Sequence, residues 1–317
     1  SMNPIRTVIG RRTLLAAALV AGFAGQAVAA DHTMRISHQF PPTHHTAVNL
    51  AQFEKEVEAA TNNRVDVQLF GAAQLFKPNQ NHPAVASGKI EAAAILSFQW
   101  GGTIPEMSVT IIPYLMTSVA KQQAFVGSDA ARMLDAKMEA KGVKNIAWIV
   151  DTNDGIFTSS KKLLATPADF AGLKIRVMQN PLYVDMVNSM GGNGLPISFS
   201  ELYTSLQTGV VDGAENNPPS YESGKHYEVA KYYTLTEHLM VPEIFVFSKK
   251  VWDTLSPTDQ QAFVLPDLSE AVVRIEFTRE LARQLKENGD DFAPLRDFSA
   301  MQGAEPKRAE AMRAPVT

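Results

Sequence analysis

The chain alternates strand-like and helix-like segments in the order β-α-β-α-β, and a second series of the same kind follows the first. TMRISHQF (33–40) and RVDVQLF (64–70) alternate apolar with polar residues, the period of a strand with one buried face. Between them Ala47, Leu50, Ala51, Phe53 and Val57 recur at helical spacing, with Thr43 as the expected cap and Asn62-Asn63 as the stop. HPAVASGKI predicts a short helix ended by Gly88, and EAAAILS predicts a small, apolar, buried strand. Strands separated by helices return to the same edge and run parallel, so the pattern predicts a mostly parallel sheet covered by helices.

The second series begins at KNIAWIV, a strand. PADFAG is a short helix whose Gly172 suits a C-cap, and LKIRVM is the next strand. PLYVDMVNSMG carries Tyr183, Met186, Val187 and Met190 on one stripe, a core-facing helix. NGLPIS leads into the helix FSELYTSLQTG, expected to be capped by Ser200, and VVDGAEN is a short strand. HLMVPEIFVFSKKVWDTLS adds a strand and a helix start, and residues 256–289 read as a long helical tail interrupted at Pro266. No low-complexity linker separates the two series, so two domains joined by crossing segments are expected.

Ligands in open α/β sheets bind beyond the carboxyl ends of strands. Pro181, Pro218 and Pro219 follow strand-like runs, and Arg176, Asn180, Asn216 and Asn217 lie at those ends. Arg176 is a permanent cation between apolar, β-branched Ile175 and Val177. On an exposed face it serves solubility, and facing a cleft it anchors a ligand.

The 317 residues suffice for two domains, and neither the net charge of −4 nor any dense basic run marks a nucleic-acid surface. The chain has no cysteine, which excludes thiol nucleophiles, thiolate metal sites and disulfides. Ser1 ahead of Met2 reads as an expression scar. Residues 1–30 then read as a signal peptide: a basic n-region (Arg6, Arg11, Arg12), an apolar run from Leu14 to Ala24, and small residues before Asp31. That run is short for a membrane span, and the Arg11-Arg12 pair leaves Sec and twin-arginine export both open. Removing the segment takes away three arginines and no acids, lowering the net charge from −4 to −7. The expected product is an acidic periplasmic protein without stable membrane insertion.

TPADFAGLKIRVMQNP, PISFSELYTSLQTGVVDGAENNPP and YEVAKYYTLTEHLMVPEIFVFSKKVWDTLS together resemble substrate-binding proteins of tripartite ATP-independent periplasmic (TRAP) transporters. GAAQLF and FQWGGTIPEMSVTIIPYL fit the same family, and the likeness runs from about Met34 to Phe263. It implies a periplasmic binding protein of type II-like fold in its TRAP variant. Two α/β domains flank a central cleft, joined by crossing strands and a long helix. The implied boundaries are 31–150 plus about 241–280 for one domain and 151–240 plus about 281–317 for the other. The implied activity is capture of a small organic acid and its delivery to TRAP permease subunits for cation-gradient-driven import. The receptor is expected to be a monomer, with no cofactor, metal or catalytic residue.

By the same resemblance Arg176 grips the ligand carboxylate, Asn216 supports it and Phe199 packs against the ligand. His38, Lys77, Gln99 and Trp100 line the other side, and Met178 and Asn217 complete the candidates. Many relatives carry a second arginine where this chain has Gly155, beside Asp154, and Thr158 replaces a family tyrosine. Losing a cation disfavours a dicarboxylate. A hydroxylated monocarboxylate such as a sugar acid is therefore the expected ligand, with aromatic, branched-chain and C4-dicarboxylic acids as alternatives. The C-terminal MQGAEPKRAEAMRAPVT departs from the family in being polar and proline-bearing.

Plainer readings stand beside these. His38 is also an ordinary core histidine, Asp154 a solvated loop acid, and Asn216-Asn217 turn residues. His44 and His45 read as a solvated helix cap, since neighbouring helix positions do not face one metal. A secreted hydrolase or lyase is the competing class, but no G-x-S-x-G, H-E-x-x-H or phosphate loop is present.

Overall fold

The computed structural model describes residues 30–149 and 155–264. The apolar export run, Asp154, the expected long spanning helix and the polar tail lie outside them.

From the amino end the chain forms β1 (His32–His38), α1 (His45–Ala60), β2 (Val65–Phe70), α2 (Asn81–Ser87) and β3 (Ala92–Leu96). Then come α3 (Val119–Val126), α4 (Asp129–Ala140) and β4 (Val143–Ile149). The next series is β5 (Ile156–Ser159), β6 (Lys174–Val177), α5 (Pro181–Ser189), β7 (Asn193–Pro196), α6 (Phe199–Gln207) and β8 (Gly213–Asn216). It continues through α7 (Pro218–Ser223) and β9 (Tyr232–Leu235) to β10 (Glu243–Ser248), α8 (Lys249–Trp252) and α9 (Pro257–Val264).

Two five-stranded sheets result, ordered β2-β1-β3-β10-β4 and β7-β6-β8-β5-β9. Both are mixed rather than mostly parallel. β1 runs parallel to β2 and β3, while β10 is antiparallel to β3 and β4. In the second sheet β6 is parallel to β7 and β8, and β5 is antiparallel to β8 and β9. The βαβ units thus set the parallel half of each sheet. In the first sheet the antiparallel half arises because β10 returns from the second lobe and inserts between β3 and β4. That return, between β9 and β10, joins the lobes.

The first sheet is covered on both faces. Along β3 and β10, Ala93, Ile95, Ile244 and Val246 face one core with Leu134, Met138 and Trp148. Ala92, Ala94, Phe245 and Phe247 face the other, with Phe53 and Val67. The period of two explains why β3 reads as continuously apolar. A third core joins the lobes: Phe40, Phe98 and Ile111 from the first meet Phe157, Ile175, Val177 and Tyr183 from the second. Phe98 and Tyr183 meet edge to face with centroids 5.2 Å apart. Each such buried side chain contributes about 1.5–3 kcal/mol, so this core holds the lobes against each other.

Two caps differ from expectation. His44, not Thr43, caps α1, its Nδ1 accepting from the Thr46 N–H. Ser198, not Ser200, precedes α6, which makes Phe199 the first helical residue. Gly213 is required in β8, because a Cβ there would lie 2.3 Å from the Thr158 carbonyl oxygen.

Candidate functional site

A cavity opens where the two lobes meet. The space between atoms there, its open mouth included, is about 510 Å³. Gln39, Phe40 and Leu96 line it from the first lobe, and Leu239, Val241 and Glu243 from the chain entering β10. The second lobe supplies Arg176, Met178, Phe199 and Gly155, together with Glu215, Asn216, Asn217 and Ser220 around the end of β8.

Arg176 is only 3% exposed, and β7 and β8 flank its strand. Its Nε donates to the Ile197 carbonyl at 2.8 Å and its Nη1 to the Glu215 carbonyl at 3.2 Å. These backbone bonds use two of the five guanidinium N–H groups and fix the fork in place. The other hydrogens have no acceptor among the described residues. Burial pushes the Arg176 pKa down to about 10, opposed by Glu215 and Tyr183, so the cation persists at neutral pH. Its field reaches His226 below Phe199, where burial first and Arg176 second lower the imidazole pKa to about 3.

Asn216 is buried, and its Oδ1 accepts from the Asn217 N–H at 2.9 Å. Its Nδ2 has no partner among the described residues, so the amide donor remains for a ligand. Asn217 also lines the cavity while capping α7 through the Ser220 N–H. Phe199 and Met178 form apolar wall.

Two buried carboxylates share this space. Glu215 Oε1 lies 3.6 Å from His238 Nε2, and its Oε2 has no hydrogen-bond partner among the described residues. Glu243 accepts from the Thr46 hydroxyl at 3.0 Å. One fixed cation among two acids suits a ligand with one carboxylate and neutral donors elsewhere. A second carboxylate meets like charge.

The remaining candidates sit otherwise. Gln99 stands behind the wall, donating through Nε2 to Gln39 Oε1 at 3.1 Å. His38 is buried against Gly71 outside the cavity wall, and burial lowers its pKa to about 4. Trp100 does not line the cavity. The 3₁₀ turn Ser97–Trp100 carries its ring into the first lobe's core, 4.8 Å from His82. Lys77 also lies outside the lining, where its Nζ pairs with Glu201 at 3.1 Å across the lobes, both side chains about half exposed. Asp154 is outside the described residues, but Gly155 lines the cavity. A Cβ at Gly155 would lie 2.5 Å from His238 Cε1, so the imidazole fills the space a side chain at 155 would need.

Sequence reasoning passed over Glu215, Gln39, Ser220, Glu243 and His238. Glu215 stood inside the quoted VVDGAEN and was legible there as an acid next to the candidate amide. His44 is no solvated cap: it is 2% exposed, and its Nε2 lies 3.2 Å from Ser220 Oγ in the second lobe. Asn180 does not line the cavity. It caps α5 and donates across the lobes to the Phe98 carbonyl and the Ser108 hydroxyl. Among the described residues no group of His, Asp or Glu is placed to hold a metal, and no helix is long and apolar enough to cross a membrane.

Residues 36–311 match the sequence family DctP, described as bacterial extracellular solute-binding protein, family 7. A solute-binding protein of Chromohalobacter salexigens is 38% identical over 223 residues, which span 70% of this chain and 66% of that one. A crystal structure of a TRAP periplasmic solute-binding protein from a Sulfitobacter species, with bound β-D-galacturonate, superposes with a TM-score of 0.76 at 30% identity. It covers 88% of this chain and 97% of that one. A TRAP periplasmic solute-binding protein from Chromohalobacter salexigens, with bound D-glucuronate, gives the same TM-score, identity and coverage. This chain belongs to family 7 of the bacterial extracellular solute-binding proteins, the DctP family.

Proposed function

We propose that this protein is a periplasmic receptor that binds a hydroxylated monocarboxylate, a uronate or aldonate, and hands it to a TRAP permease. The observation that carries the ligand class is the guanidinium of Arg176, held by two backbone carbonyls, in a cavity it shares with Glu215 and Glu243. A carboxylate satisfies the open side of that fork, and each charge-assisted bond contributes about 1.5–3 kcal/mol. Two such bonds supply a large part of the about 8 kcal/mol that a micromolar complex needs. Sugar hydroxyls then donate to the acids, which a second ligand carboxylate does not. The acids bound in the two structural relatives support the same class.

The family membership supports delivery to a membrane permease and a site that binds without turnover. Asn216 acts as the second carboxylate donor in this reading, and Phe199 with Met178 forms the apolar floor. A thermal-shift panel of D-glucuronate, D-galacturonate, D-erythronate, succinate and phenylacetate tests the class. The three sugar acids should stabilise the protein most, by about 4 kcal/mol at a thousand times the dissociation constant. Shifts with succinate or phenylacetate alone would contradict it.

A further inference from the structure

The serine that follows Pro218-Pro219 has a side-chain environment not explained by helix geometry. Ser220 is 6% exposed, lines the cavity, and belongs to the second lobe. Its Oγ lies 3.2 Å from Nε2 of His44, which belongs to the first.

The direction of that bond follows from the other ring nitrogen. His44 Nδ1 accepts from the Thr46 N–H at 3.2 Å as the cap of α1, so its lone pair is engaged. Burial, reinforced by His45 and His38, keeps the ring neutral. A neutral imidazole whose Nδ1 accepts carries its proton on Nε2. His44 therefore donates, and Ser220 Oγ accepts. The arrangement cannot serve as a general base on Ser220, because the nitrogen facing the hydroxyl already holds a proton. It leaves the Ser220 hydrogen to point elsewhere. Its Oγ makes no other hydrogen bond among the described residues, and Ser220 lines the cavity.

We propose that Ser220 is a ligand-specificity residue whose O–H donates to an oxygen of the bound acid, with His44 of the opposite lobe setting that direction. The hydroxyl joins the Asn216 amide and the Arg176 fork as a third donor of the second lobe. Because His44 reaches it only where the lobes meet, the donor is fully oriented only when the lobes are together. This rests on the sugar-acid reading and deepens it.

The test is calorimetric titration of the full-length mature protein with D-glucuronate and with D-galacturonate. Ser220→Ala should weaken binding about tenfold, the net contribution of one buried hydrogen bond, while Ser220→Thr should stay within about threefold of wild type. His44→Gln should weaken binding in the wild-type background and add nothing in the Ser220→Ala background. If Ser220 only anchors His44, Ser220→Ala will lower the melting temperature and leave both dissociation constants unchanged, which overturns the proposal alone. A wild-type protein that binds neither acid removes the sugar-acid reading and this inference with it.

Discussion

Replacing Arg176 by lysine keeps the positive charge and removes the fork. In the native site Nε and Nη1 are held by the Ile197 and Glu215 carbonyls, which leaves the outer edge of the guanidinium for two parallel bonds to a carboxylate. A lysine ammonium has its donors on one nitrogen. Satisfying both carbonyls leaves it a single hydrogen for the ligand. The expected loss is one charge-assisted bond, about 1.5–3 kcal/mol, or about 10- to 150-fold in affinity for D-glucuronate. Arg176→Ala loses both bonds and weakens binding by at least about 3 kcal/mol. It also strips the buried Glu215 of its neighbouring cation, so the ligand-free protein should melt lower, and Glu215→Gln in the same chain should restore part of that loss. Calorimetry at one pH and salt reads the affinities, and thermal unfolding without ligand reads the stabilities. Near-native affinity in Arg176→Lys, or an unchanged melting temperature in Arg176→Ala, would refute the assignment of the fork and of its electrostatic support of Glu215.

Gly155→Ala should destabilise the fold by about 1–3 kcal/mol through the clash with His238, and His238→Ala should relieve it; additive losses in the double variant would contradict that packing. Asn180→Ala removes a helix cap and two bonds between the lobes, so thermal unfolding should show a loss of about 1–2 kcal/mol, and an unchanged transition would contradict it. Stability should also fall as pH drops below 6.5, the ordinary histidine value, because burial lowers the folded pKa values of His38, His44 and His226. The unfolded chain then takes up protons that the folded rings refuse, costing about 1.4 kcal/mol per histidine per pH unit. His38 stops contributing near pH 4 and His226 near pH 3. A melting temperature that is flat from pH 7 to pH 5 would contradict this.

The fold was legible where residues repeat. The parallel units 32–96 and 174–216 follow from period-two and period-3.6 patterns, and Gly88 caps α2 with φ of 78°, whereas Gly172, with φ of 74°, lies one residue beyond Ala171, the cap of a 3₁₀ turn over Pro167–Phe170. The mixed character of the sheets was not, because direction depends on where β10 inserts in the first sheet and where β5 inserts in the second, and no local pattern encodes that. β5, β7 and β9 have four residues each, too few to display an alternation. In the site, Arg176, Asn216, Phe199, Met178 and Asn217 share one continuous stretch, so strand ends and motif spacing bring them to the cavity. Lys77 and Trp100 follow loops whose course is set by tertiary contacts, an ion pair to Glu201 and the ring of His82, and they end outside the cavity lining. His44 looked like a surface cap because its partner Ser220 lies 176 residues away. Glu215 was overlooked because an acid beside a proposed carboxylate anchor runs against simple charge complementarity; in the proposed reading that acid separates hydroxyl-bearing ligands from dicarboxylates.

The most direct measurement is a calorimetric comparison of D-glucuronate, D-glucose and D-glucarate on the wild-type protein. D-Glucose lacks the carboxylate for Arg176, and D-glucarate places a second carboxylate among Glu215 and Glu243. A carboxylate anchor beside two acids predicts that D-glucuronate binds at least about 100-fold more tightly than either, since each change forfeits about 3 kcal/mol or more. Equal binding of D-glucose would show that Arg176 does not hold a carboxylate, and tighter binding of D-glucarate would show that the acids do not set the ligand class.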